Sequence, residues 1–99
     1  LELGQAFHRL GVEVAFFNPS GHVGPFSDPE IQGAAVRELG AELDLHLHTE
    51  ILAAEAGEQG VLLRWRGADG TLGEKRFAKV LVAAGRRPAI AALDLAASG

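Results

Sequence analysis

An α/β fold built on a parallel sheet follows from three observations on this chain. Segments with helical spacing alternate with short apolar strands, the pattern that layers helices on a parallel sheet. Three further strand-like runs are joined by short glycine-bearing turns, which favour antiparallel hairpins. A continuous apolar run then returns at Lys79 to Ala84, as expected of a strand covered on both faces.

Leu3, Ala6, Phe7 and Leu10 fall on one face of a helix, and Gly11 follows as its stop. Val12 to Phe17 is short, β-branched and aromatic, and it runs into Asn18-Pro19-Ser20-Gly21, so it reads as a strand ending in a loop. After an irregular stretch to residue 27, Ser27 or Asp28 offers an N-cap and Pro29 suits the first helical turn. Ile31, Ala35 and Leu39 then mark an apolar stripe, with Gly40 as the expected stop. Glu42 to His48 alternates, which places three leucines on one side of a strand and His46 with His48 on the other.

From residue 50 the runs Ile51 to Ala56, Val61 to Arg66 and Thr71 to Phe77 form a three-stranded meander, occupying about 50–78. The order of helix, strand, helix, strand, meander and strand predicts a Rossmann-like parallel sheet with helices on its faces and an inserted antiparallel meander. No repeat or linker divides residues 1–99, which read as one domain or a piece of one.

The totals restrict function. With 47% hydrophobic and 22% charged residues the composition is that of a globular chain. The net charge of −4 and the scattering of nine Lys and Arg lack the basic footprint of a nucleic-acid binder, so Trp65 between Arg64 and Arg66 reads as a strand residue with alternating faces. There is no cysteine, so the chain itself carries neither a disulfide nor a thiolate metal site. No apolar run is long enough for a transmembrane helix, and no leader opens the chain, which makes a cytoplasmic setting the expectation. His46, His48, Asp44 and Glu42 are ligand types, but the alternation of a half-exposed strand accounts for them without a metal.

The stretches LELGQAFHRLGVEVAFF, SDPEI, the meander and VLVAAGRRP together resemble the NAD-binding domain of the flavin-dependent pyridine nucleotide disulfide oxidoreductases. The resemblance covers essentially the whole chain, and the Leu-Glu-Leu-Gly-Gln opening is most similar to the dihydrolipoamide dehydrogenase branch. It implies that NAD is bound here and FAD elsewhere in the parent. It also implies that dihydrolipoamide, or a lipoyl domain, delivers electrons through a cysteine pair absent from this chain, in a homodimer. The isolated chain is then expected to be inactive, with catalytic residues lying outside it. Mercuric and glutathione reductases resemble the segment nearly as well, and a non-catalytic α/β interaction module is the alternative of a different class.

The same resemblance suggests five cofactor-binding residues. Ala84 and Gly85 let backbone approach the dinucleotide, while Arg86, Arg87 and Pro88 lead outward. Glu2 matches a glutamate near the nicotinamide, and Ile51 an apolar residue beside the adenine. Asn18 stands where NAD-dependent members hold an acidic residue for the ribose hydroxyls; NAD is favoured because no Arg or Lys follows until Arg37. The family's glycine-rich turn and first strand precede the part that matches Leu1, so the chain reads as a fragment starting just after that turn.

Overall fold

The computed structural model describes residues 1–86. Its elements run α1 (Glu2–Arg9), β1 (Ala15–Phe17), α2 (Pro29–Glu42), β2 (Asp44–His46), β3 (Glu50–Gly57), β4 (Gly60–Arg66) and β5 (Leu72–Phe77). β1 and β2 form a parallel pair with Ala15, Phe16 and Phe17 opposite Asp44, Leu45 and His46, connected through α2. β3, β4 and β5 form the antiparallel meander in that order. The α/β class and the inserted meander are as the sequence predicts.

α1 ends where Gly11 permits a left-handed turn at φ 91°. Gly11 N–H donates to His8 O and Val12 N–H to Phe7 O, both at 3.0 Å, the paired bonds of a Schellman stop. This closure consumes the start of the expected Val12–Phe17 strand. Only three residues reach β2, and the strand is correspondingly shorter than its apolar run. α1 lies close on β1, because a Cβ at Gly4 would run into the Phe16 ring.

Asp28, not Ser27, caps α2. Its carboxylate accepts from Glu30 N at 2.8 Å and Ile31 N at 3.3 Å. The expected stop at Gly40 is overturned: the helix continues to Glu42 and ends as Leu43 turns extended, with Leu43 N–H donating to Leu39 O at 2.7 Å. Burial of Leu43, 4% exposed, rewards that exit, whereas a glycine inside a helix costs only about 1 kcal/mol. The apolar stripe is also rotated. Ile31 is 53% exposed, while Gln32 is buried and Ala35, Val36 and Leu39 are partly covered.

Two further expectations fail. The alternation over 42–48 yields a strand only at Asp44–His46, and His48 sits in a turn at φ 49°, so the two histidines do not share a strand face. Lys79–Ala84 forms no strand: Leu81 and Val82 are 63% and 81% exposed, because β1 pairs only with β2 and the run has no neighbouring ladder among the described residues. The role expected of Arg87 and Pro88 lies outside the described residues.

The meander is set by its turns. Gly57 pairs with Gly60, which takes φ 101°, leaving Glu58 and Gln59 as a two-residue loop. In the second turn Asp69 Oδ1 accepts from Thr71 N at 3.0 Å, which holds the carboxyl below its usual range, and Gly70 adopts φ 81°. A bulge at Leu52 shifts register between Ile51 and Ala53. One face carries Glu55, Arg64 and Glu74 in a row, with Arg64 Nε 2.6 Å from Glu74 and Nη1 3.4 Å from Glu55. The other face carries Trp65 over Gly73, whose Cβ would strike the indole.

An aromatic cluster joins the two sheets. The Phe17 ring stacks on His46 at 4.6 Å, meets Trp65 at 4.8 Å and Phe77 edge-on at 6.1 Å, while His46 meets Trp65 at 5.8 Å. Lys75 adds an ion pair to Glu13 at 2.8 Å and lies 5.4 Å from the Phe77 ring centre. Leu63, 4% exposed, is the buried apolar residue of the meander.

Two predictions follow from this join. Phe17→Ala removes a half-buried ring and three aromatic contacts, and is expected to lower stability by about 2–4 kcal/mol in urea denaturation. Arg64→Ala, on an exposed salt bridge, should change it little; equal losses would refute the assignment. The second concerns acid. The Lys75 ammonium holds Glu13, and the Arg9 guanidinium holds Glu42, below the ordinary glutamate value of 4.5. A lowered carboxyl pKa stabilises the fold above the ordinary value, and the contribution disappears as pH falls through the lowered one. Urea midpoints should therefore drop on acidification below about pH 4.5, and Glu13→Gln should shrink that drop, modestly because both partners are exposed.

Candidate dinucleotide edge

α1 and α2 run antiparallel to the strands that they precede. Their C-termini meet where Arg9 Nε bonds Glu42 Oε1 at 3.1 Å, just ahead of β1 and β2. The beginning of α1 therefore lies towards the carboxyl ends of the strands. Gly4 faces Phe16, a contact two residues from Glu2 on α1 and two residues from Asn18 at the end of β1. Asn18 N–H extends the β1–β2 ladder by donating to His46 O at 3.0 Å. Asn18 O accepts from Thr49 N at 2.9 Å, two residues ahead of Ile51 on β3. Asn18 and Ile51 are thus linked through Thr49, and Glu2 lies two residues from the Gly4–Phe16 contact.

Ala84 and Gly85 do not join them. Both are exposed, Gly85 at φ 122° with open space around its would-be Cβ, and they line a separate shallow concavity with Val82 and Arg86. The reason is the unformed strand at 79–84, which was expected to carry them to the edge.

The Asn18 side chain is largely occupied within its own loop. Its Oδ1 accepts from Ser20 N at 2.8 Å and Ser20 Oγ at 3.0 Å, and its Nδ2 donates to His22 O at 3.1 Å. His22 N donates to Ser20 Oγ at 3.2 Å, and His48 N to Ser20 O at 3.1 Å. An asparagine amide has two acceptor sites on oxygen and two N–H donors, so among the described residues one N–H has no partner. The edge presents that N–H, the exposed Ile51 side chain and an α1 start whose N-cap Leu1 supplies no side-chain cap. This donor set fits a neutral polar group such as a ribose hydroxyl beside a flat apolar one; Glu2, exposed in the first turn of α1, adds a carboxylate acceptor.

A profile of the pyridine nucleotide-disulphide oxidoreductases matches residues 1–70. The chain belongs to that family. It is 38% identical, over its full length, to dihydrolipoyl dehydrogenase 3 of Pseudomonas aeruginosa, of which it covers 22%. It is 34% identical over 96% of its length to the mitochondrial dihydrolipoyl dehydrogenase 1 of Arabidopsis thaliana, covering 19% of that protein. With dihydrolipoyl dehydrogenase of Vibrio parahaemolyticus the identity is 32%, over 89% of this chain and 18% of the relative. The chain spans about a fifth of the length of the curated relatives it matches.

Sequence reasoning missed three residues that shape this edge of the family member. Thr49, 4% exposed, donates its hydroxyl to Leu47 O at 2.9 Å while its N–H holds Asn18. Gln32 is a buried amide on an otherwise unremarkable helix. His48 covers Gly21, whose Cβ would meet the imidazole. A glycine between a serine and a histidine in a loop was the one available signal, and it reads equally as turn chemistry. Among the described residues no group of three or more His, Cys, Asp or Glu could hold a metal, and no helix is long and apolar enough to cross a membrane.

The loop yields a prediction of its own. Gly21→Val would force the imidazole of His48 off the loop and should lower stability by about 1–3 kcal/mol, the usual cost of overpacking. Gly40→Ala, with open space around it and ordinary helical backbone, should raise stability by up to about 1 kcal/mol. Thermal denaturation of both variants checks the contrast; a destabilised Gly40→Ala would contradict the helix reading there.

Proposed function

We propose that residues 1–99 are the NAD-binding segment of a dihydrolipoamide dehydrogenase that oxidises dihydrolipoamide with NAD through FAD and a redox disulfide held elsewhere in the protein. The observation that carries the reading is the likeness of the whole chain to part of the dihydrolipoyl dehydrogenases, and the position of Asn18 directly after β1, at the carboxyl end of the parallel pair, supports it. Ligands of open α/β sheets lie at such edges.

In this reading Asn18 donates its remaining N–H to the adenine ribose, Ile51 covers the adenine, and the Glu2 carboxylate accepts from the nicotinamide carboxamide. Bound NAD supplies the hydride acceptor. Ala84 and Gly85 reach the dinucleotide when 79–84 pairs as a strand. The partners are NAD(H) and dihydrolipoamide or a lipoyl domain. The protein acts as a homodimer in the cytoplasm, and the segment alone, without cysteines, has no redox centre for turnover.

Asn18 also supports a second reading, a sister reductase that uses NADPH, because an amide neither repels nor pairs a 2′-phosphate. The test is turnover by the full-length protein. Dihydrolipoamide-dependent NADH formation is expected; its absence, with NADPH-driven reduction of another disulfide, would move the protein to the sister branch. Asn18→Glu is expected to raise the preference for NAD over NADP by about tenfold or more, through carboxylate repulsion of the extra phosphate. An unchanged ratio of kcat/KM values would remove Asn18 from the ribose site.

A further inference from the structure

α2 reaches the loop that carries Asn18 through one side chain. Gln32 is 9% exposed on a helix whose preceding residue, Ile31, is 53% exposed. In the amide orientation that pairs both of its groups, Gln32 Nε2 donates to Val23 O at 3.2 Å and its Oε1 accepts from Val23 N at 2.5 Å. Val23 is the most buried apolar residue described, at 2%. A buried amide in this setting must be paired or cost about 1–3 kcal/mol.

Val23 N–H belongs to the His22–Val23 peptide group, and the carbonyl of that same group is His22 O, which accepts from Asn18 Nδ2 at 3.1 Å. One peptide plane is therefore gripped on its N–H side by Gln32 and on its C=O side by Asn18. Hydrogen bonds on opposite ends of a peptide polarise one another and fix its plane. Asn18 Oδ1 is committed to Ser20 at the same time, so the orientation of the Asn18 amide, and the direction of its second N–H, depend on where that peptide is held.

We propose that Gln32 is a positioning residue for dinucleotide binding, acting on Asn18 through the His22–Val23 peptide. The inference rests on the reading of Asn18 as a ribose contact. Its chemistry makes an unusual demand: the acceptor on Val23 N–H matters to Asn18, whereas the donor to Val23 O acts on the next peptide. Gln32→Glu preserves the first and loses the second; Gln32→Leu preserves the volume and loses both.

The test is NADH affinity by fluorescence titration of the full-length protein, with thermal stability measured alongside. Gln32→Leu is expected to raise Kd about tenfold, and Gln32→Glu by no more than about threefold even though its buried carboxyl lowers stability. In an Asn18→Ala background the effect of Gln32→Leu should fall to about twofold or less, since the route to the ligand is gone. A residue that merely packs would reverse the order, tolerating Leu better than Glu, and its penalty would persist without Asn18; either result overturns the proposal while leaving dinucleotide binding intact. Should Gln32→Leu not fold, Gln32→Met takes its place: a Kd raised about tenfold that falls to about twofold in the Asn18→Ala background supports the proposal, and a near-native Kd or a penalty that persists without Asn18 overturns it. A wild-type protein that binds neither NADH nor NADPH would remove the underlying reading as well.

Discussion

The Phe17 ring is the contact on which the arrangement depends. β1 and β2 are only three residues each, too short to hold a sheet by ladder bonds alone. Phe17 stacks on His46 across that short pair and meets Trp65 and Phe77 from the meander, so one side chain joins both sheets. The next residue in the chain is Asn18. The same anchoring that joins the sheets therefore fixes the start of the loop in which the proposed ligand contacts lie.

Beyond that point order is maintained by polar bonds. Within residues 18–23 the Asn18, Ser20 and His22 groups satisfy one another, and three elements reach in from outside: β2 through His46 O, the β2–β3 connection through the N–H groups of His48 and Thr49, and α2 through Gln32. Irregular backbone near a surface has to settle its hydrogen bonds in this way. A loop with its own network presents a ligand with a few uncommitted groups in fixed directions, which favours recognition by shape and donor placement over bulk charge.

Much of the fold was legible in the sequence where one local rule decides it. Gly11 and Asp28 mark helix ends by backbone and capping chemistry, and the meander turns follow from their glycines. The misreadings share a cause: they depend on partners distant in sequence. The run at 79–84 has the composition of a buried strand but finds no ladder among the described residues, Gly40 continues a helix because Leu43 gains more by burial three residues later, and His48 leaves the strand to cover Gly21. Of the proposed site, Glu2, Asn18 and Ile51 came from family likeness, while Gln32 and Thr49 engage the Asn18 loop through hydrogen bonds to backbone atoms, which no side-chain pattern reveals.

Dinucleotide is proposed to lie against the loop around Asn18, and hydrogen exchange of the full-length protein with and without saturating NADH tests that placement. Slowed exchange concentrated in residues 2–5, 18–23 and 49–51, with the β4–β5 turn unchanged, is the predicted result. Saturable NADH binding that leaves those three segments exchanging at their free rates would contradict it.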